Sequence, residues 1–384
     1  MNFHFATAGR ILFGAGALKQ VGPAASQFGR HALLVTGRHP ERAEKLRAQL
    51  TENGVAATPF AVAGEPDIAT IENGVAAGRQ AGCDLVIALG GGSVIDAGKA
   101  MAAMLTNPGQ LLDYLEVVGG GQSLTKPSRP LVAIPTTAGT GAEVTANAVI
   151  ASPQHQVKVS LRHPWLLPFT AVIDPELTYD LPAPLTASTG LDALTQLIEP
   201  YVCLRANPLT DGFCLDGLHR AGRSLREAVF GGLNKFARED MALASLYGGL
   251  SLANAGLGAV HGFAGPIGGR FSAPHGAVCG ALLPHVMAAN LRALRERDAR
   301  SYALGRYHRI AAILTGDPHA PADAGVEWVQ NLVAGLPIPP LGTYGIREEH
   351  IPGLVAKAAQ ASSMKANPIA LTPEELAEIL RRAL

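Results

Sequence analysis

The C-terminal half of the chain carries residue types able to hold a metal ion. Asp192 lies in TASTGLDALTQLIEPYV with Gln196 one helical turn later, while His261 and His275 lie in GAVHGFAG and APHGAVC. One carboxylate and two imidazoles form the donor set that a catalytic zinc or ferrous ion takes while keeping a position open for substrate. Residues four apart share a helix face, so Asp192 and Gln196 point the same way if their stretch is helical. Spacing alone does not bring Asp192, His261 and His275 together. A histidine among small residues serves packing more often than it binds metal.

Two glycine clusters in the N-terminal half suit a phosphorylated ligand. GGGSVID runs from Gly90 to Asp96, where the apolar run CDLVIAL ends and a helix is predicted to begin. Free N–H groups and the positive end of a helix dipole attract a pyrophosphate there, and Gly90, Gly91 and Gly92 let it approach the backbone before Ser93 and Asp96. The loop is neither GxGxxG nor a Walker loop. IPTTAGTGAEVTANAV (134–149) follows another apolar run and offers the hydroxyls of Thr136, Thr137 and Thr140 to phosphate, ribose or adenine. Each cluster alone is also compatible with a tight or filled loop; two at the ends of successive strands favour a dinucleotide.

These groups are positioned by two kinds of sequence. HALLVTG (31–37), ATPFAV (57–62), CDLVIALGGG (83–92) and RPLVAIPTT (129–137) read as strands separated by amphipathic helices, with VSL and AVIDPEL as added strands. That pattern predicts an α/β, doubly wound, mostly parallel sheet over 1–182. From LPAPLTASTG onward, Ala/Leu-rich helical stretches replace the β-branched runs, which predicts an all-α domain over 183–384. A substrate crevice between two unlike domains is the expected consequence.

Composition narrows the function classes. The 384 residues are 48% hydrophobic and 16% charged, with 31 basic against 31 acidic side chains, so no bulk positive charge awaits nucleic acid. Cys83, Cys203, Cys214 and Cys279 form no CxxC pair and suggest neither a zinc-thiolate knuckle nor a disulfide scaffold. MNFHFATAGRILFG lacks the pattern of a signal peptide, and no apolar stretch is long enough for a membrane span. A cytoplasmic protein is expected.

GGGSVIDAGKA, IPTTAGTGAEVT, GLDALTQLIEPYV and GAVHGFAGPIGGRFSAPHGAVCGALLPHVM together resemble the iron-containing (group III) alcohol dehydrogenase family, from FGAGAL to SMKANP. The resemblance implies a dinucleotide-binding domain, a helical domain, and oxidation of an alcohol or reduction of an aldehyde or ketone with NAD(P)H. It places Asp192, His261 and His275 on metal-ligand positions and Gly91, Gly92, Ser93 and Asp96 on the phosphate loop. Thr136, Thr137 and Thr140 fall on the second cofactor loop, and Lys158 near the nicotinamide ribose. It also implies a homodimer through N-terminal strands.

The sequence departs from the family pattern at two positions. Gln196 stands where members with four protein ligands have histidine, and Gly265 where an HxxxH would end. A neutral amide oxygen is a weak fourth ligand, which suits Zn2+ at least as well as Fe2+. Gly37 and Arg38 replace the aspartate of NAD-preferring relatives at a strand end, so NADPH is permitted or preferred. His285 is a candidate proton relay. Leu194, Phe263 and Phe271 are candidate pocket residues, and Arg162 and Arg270 candidate anion contacts. The alternatives are a metal-independent maleylacetate-reductase-like enzyme, a dehydroquinate-synthase-like lyase and a non-catalytic dinucleotide binder. The lyase is disfavoured because AGTGAEVTANAV lacks its lysine.

Overall fold

The computed structural model describes residues 2–155 and 157–384. Its chain separates into two compact units. One comprises Ala6–Thr137 and Gly141–Thr178; the other comprises the residues through Phe5, Ala138–Thr140 and Tyr179–Leu384.

In the first unit, strands β1 (Arg10–Phe13), β2 (His31–Thr36), β3 (Ala56–Ala61), β4 (Leu85–Gly90) and β5 (Leu131–Pro135) precede the hairpin β6 (Asn147–Ser152) and β7 (Val157–Arg162), and β8 (Thr170–Ile173) follows. Six of them form one parallel sheet in the order β1-β8-β5-β4-β2-β3. Helices α1 (Val21–Ala25), α2 (Glu44–Glu52), α3 (Ile68–Gln80), α4 (Gly92–Met104) and α5 (Leu111–Tyr114) accompany it.

Strand alternation explains the two-sided cover. Leu33, Val35, Val86, Ala88 and Ala133 join Ile71, Ile95 and Met101 of α3 and α4 in one core. Their neighbours Leu34, Leu85, Ile87, Val132 and Ile134 join Val21, Leu46 and Leu50 of α1 and α2 in another. Side chains of successive strand residues point to opposite faces, so a strand covered on both faces must be apolar throughout. Gly98 lets α4 settle on the sheet, since a Cβ there would come 2.7 Å from that of Ala88.

VSL and AVIDPEL both enter strands, and their pairing differs. VSL lies in β7 and pairs antiparallel with β6 in a separate two-stranded sheet. AVIDPEL begins inside the main sheet. Its first residues lie in β8, between β1 and β5, and β1 takes the edge. Strand order depends on long-range pairing, which local apolar patterns do not encode.

The second unit contains α6 (Ala183–Val202), α7 (Pro208–Phe230), α8 (Lys235–Asn254), α9 (Ala259–Arg270), α10 (His275–Arg297), α11 (Tyr302–Thr315), α12 (Ala322–Ala334), α13 (Ile351–Gln360) and α14 (Pro373–Ala383). From Gly190 to Val202 every residue of α6 is buried. Glycines bring its neighbours close: a Cβ at Gly276 or Gly280 of α10 would strike Ser188 or Leu191, and one at Gly217 of α7 would strike Leu197. Helix α10 has the length and hydropathy to cross a membrane, but 83% of its apolar window is buried inside the protein. It is a core helix.

Candidate metal centre and cofactor loops

A helix buried on all sides must satisfy its polar side chains internally. In α6, Thr195 does so by donating to the Leu191 carbonyl at 2.7 Å. Glu199 accepts from the Val260 N–H and the His261 ring nitrogen Nδ1, both at 2.7 Å. Asp192 Oδ1 and Gln196 Oε1, by contrast, are buried without any hydrogen-bond partner.

What surrounds Asp192 explains the exception. Its Oδ1 lies 3.4 Å from His261 Nε2 and 3.6 Å from His275 Nε2. The sulfur of Cys279 is 4.0 Å from the first nitrogen and 3.7 Å from the second. Donor atoms of all four residues fall within 4.8 Å of one another. The structure therefore brings Asp192, His261 and His275 together and adds Cys279. Gln196, one turn along α6, helps to hold the Asp192 carboxyl below its ordinary range, while its oxygen lies beside Gly248 of α8.

Three local features hold the cluster. His275 and Cys279 are four apart on α10 and share a face. His261 sits in the first turn of α9, whose N-cap Gly258 has no side chain. Glu199 and Asn367 reach across to accept the Val260 and Ala259 N–H groups in its place, and a Cβ at Gly258 would lie 2.8 Å from both acceptors. The Glu199 contact also fixes His261. With Nδ1 engaged by a carboxylate, Nε2 is the ring nitrogen that faces Asp192.

The electrostatics favour a cation among these four side chains. Burial pushes the Asp192 carboxyl up, but His275 and His261 outweigh it and hold the group below the usual range. Burial disfavours the His261 imidazolium, yet Cys279, Asp192 and Glu199 raise its pKa well above normal. Cys279, then Asp192, raise His275 against burial. Burial likewise pushes the Cys279 thiol up, and the two histidines more than compensate. Positive charge at this spot is strongly favoured. That is the charge a divalent ion would supply in place of the protons.

The remaining candidate residues lie on or beside the parallel sheet. The chain leaves β2 toward β3, then returns to place β4 on the other side of β2, so a topological switch lies between β2 and β4. Ligands of open α/β sheets bind at the strand carboxyl ends beside such a switch. Gly37 and Arg38 follow β2, Gly90 ends β4, Gly91 caps α4, and Gly92 and Ser93 open it. Thr136 and Thr137 follow β5, and Thr140 lies in the segment grouped with the helical unit.

The glycines of the first loop have different reasons. A Cβ at Gly90 would meet Val94 at 2.5 Å, so this glycine is required by packing. One at Gly91 would meet only Thr137, at 3.5 Å, and its φ of −72° suits any residue. Nothing within the chain demands glycine there. Asp96 accepts from the Val149 N–H at 3.1 Å, so it ties the loop helix to β6. Arg38 donates to the Ala63 carbonyl through Nε and Nη2, and Lys158 on β7 pairs with Glu65.

The comparisons with known proteins agree with this geometry. Residues 8–175 match the family model described as iron-containing alcohol dehydrogenase, and residues 186–384 match that of the family's C-terminal region. The chain belongs to the iron-containing alcohol dehydrogenase family. It is thereby an oxidoreductase acting on CH–OH groups. The 1,3-propanediol dehydrogenase of Citrobacter freundii is 36% identical, covering 97% of this chain and 96% of that protein. The NAD-dependent methanol dehydrogenase of Bacillus methanolicus is 35% identical over 97% of each. A crystal structure of 1,3-propanediol oxidoreductase superposes with a TM-score of 0.93 at 33% identity, covering all of both chains.

Within this member of the family, several sequence candidates take other places. Leu194 and Phe263 are fully buried in the helical core, so neither lines a pocket. Phe271 packs against that core and lies under the Arg270 guanidinium, while Arg162 pairs with Glu116. His285 is ten residues beyond His275 on α10, about 15 Å along the helix, too far to relay a proton to the cluster. No neighbouring atom would meet a Cβ at Gly265, so no side chain fills that position. Glu199 and Cys279 were missed. Both were signalled by helical spacing, at seven residues from Asp192 and four from His275.

Proposed function

We propose that this chain is a metal-dependent, NAD(P)-linked alcohol dehydrogenase that also reduces aldehydes or ketones. The observation that carries the reading is Asp192 Oδ1, buried without a hydrogen bond and facing two imidazole Nε2 atoms. Asp192, His261 and His275 hold one Fe2+ or Zn2+, with Gln196 beside the carboxylate as a further polar group. The ion acts as a Lewis acid toward the substrate oxygen.

The chain's own groups orient and exclude. Glu199 keeps His261 in the tautomer that presents Nε2. The buried walls of α6 and α10 keep water from Asp192, and His275, whose side chain is 39% exposed, marks the side open to solvent. A small alcohol or aldehyde enters from there. Gly90, Gly91, Gly92 and Ser93 seat the cofactor's pyrophosphate at the start of α4. Thr136, Thr137, Thr140 and Lys158 complete its binding, and Asp96 positions the loop. The nicotinamide supplies the hydride chemistry.

NAD use is supported by the methanol dehydrogenase relative. Gly37 and Arg38 place no carboxylate after β2, which supports acceptance of NADPH as well. A cytoplasmic homodimer joined at the β1 edge completes the proposal.

Metal content by elemental analysis tests it, together with oxidation of NADH and NADPH across a panel of aldehydes before and after chelation. One Fe or Zn per chain, with reduction abolished by chelator and restored by metal, is the expected result. Aldehyde or oxo-acid reduction by metal-free protein would overturn it.

A further inference from the structure

The helical unit holds a donor that nothing in the proposed three-ligand site requires. Cys279 is fully buried on α10, and its sulfur faces the same point as Asp192 Oδ1 and the Nε2 atoms of His261 and His275. A buried cysteine is ordinarily a small apolar filler among carbons. This one lies 3.7 Å and 4.0 Å from two ring nitrogens.

Four of the six donor-to-donor separations lie close to those of a coordination shell. Metal bonds of about 2.0–2.3 Å in a tetrahedral site put neighbouring donors about 3.3–3.8 Å apart. The Asp192–His261, Asp192–His275 and Cys279–His275 separations are 3.4, 3.6 and 3.7 Å, and Cys279–His261 is 4.0 Å. Gln196 is less suited to the fourth place. An amide beside a carboxylate presents its NH2 to it, which here leaves the oxygen toward Gly248.

We infer that Cys279 supplies a thiolate as a fourth protein ligand to the ion held by Asp192, His261 and His275. The inference rests on the metal-dependent reading of the site. The half-exposed His275 would leave the substrate's approach to the ion on its own side. A soft thiolate beside two imidazoles selects Zn2+ or Co2+ over Fe2+. Cys279 also follows His275 by one helical turn, so the two ligands move as one rigid pair.

Cobalt substitution tests this without recourse to turnover. Protein stripped of metal and loaded with Co2+ is expected to show visible d–d absorption and a near-ultraviolet thiolate-to-cobalt charge-transfer band. Cys279→Ser is expected to lose that band, keep d–d absorption and bind Co2+ at least about tenfold more weakly. Cys214→Ser, a change at another buried cysteine, keeps the band. Visible d–d bands from wild-type protein without charge transfer, or a band that survives Cys279→Ser, would overturn the inference and leave the metal-dependent reading standing. Failure of wild-type protein to bind Co2+, Zn2+ or Fe2+ removes both. The wild-type spectrum decides even if the serine variant does not fold.

Discussion

In the α/β unit, Lys99 of α4 is wholly buried, donates to the Thr145 hydroxyl at 2.7 Å and the Asn147 carbonyl at 2.9 Å, and lies 3.9 Å from Asp96. Glu143 is buried within its electrostatic reach. In the helical unit, Asp192 is buried as deeply, but the positive charges nearest it are protons on His261 and His275. The first cluster contains its own ammonium group and hydrogen bonds that hold it in place. The second contains donors converging on one point and a carboxylate oxygen with no hydrogen bond. Buried charge closed by a lysine stabilises a loop, whereas buried charge left open makes a binding site for an ion.

The largest test of that contrast removes a carboxylate from the open cluster. Asp192→Ala is expected to abolish stoichiometric metal and more than about 99% of alcohol oxidation, read by elemental analysis and cofactor reduction. Glu199→Gln should retain folding but weaken metal affinity about 10–100-fold by competitive chelation, because His261 loses the charged partner of Nδ1.

The closed cluster should answer differently. Lys99→Met leaves Glu143 and Asp96 without their ammonium and is expected to lower stability by about 3 kcal/mol in denaturant titration, with metal content unchanged. Loss of metal in this variant would break the comparison. A gentler probe is pH. Burial raises the Glu143 carboxyl to about 7, from an ordinary value of 4.5. Between those values the folded chain keeps a proton that the unfolded chain has released, so stability falls as pH rises through the window. Burial lowers Lys99 to about 8, from 10.5, and there the unfolded chain binds more protons, so stability recovers as pH rises. Glu143→Gln is expected to flatten the lower limb, changing Tm across it by about 5 °C. The smallest effect belongs to the exposed Arg38: Arg38→Ala should shift the NADPH-to-NADH ratio of kcat/KM about threefold toward NADH.

Much of this was legible along the chain. LVIALG and LVAIP are apolar on both faces, which announced central strands of a covered parallel sheet, and the glycines after LVIAL marked the turn into α4. Asp192, His261 and His275 were recognisable by residue type and by family resemblance. Cys279 was set aside because it forms no CxxC pair, although its distance from His275 puts the two on one helix face. Glu199 was hidden in the same way, seven residues after Asp192 among apolar neighbours.

Strand and helix segments, and residue types suited to metal or phosphate, are readable along the chain because periodicity and donor type are local properties. Packing of distant segments puts β8 inside the sheet, makes Glu199 cap α9 while orienting His261, and turns Cys279 toward Asp192, His261 and His275. The physical reason is that burial, unpaired oxygens and donor-to-donor distances arise when distant segments pack. Gly276 and Gly280 determine how closely α10 approaches α6, and that approach puts a sulfur and two imidazoles around one orphaned carboxylate oxygen.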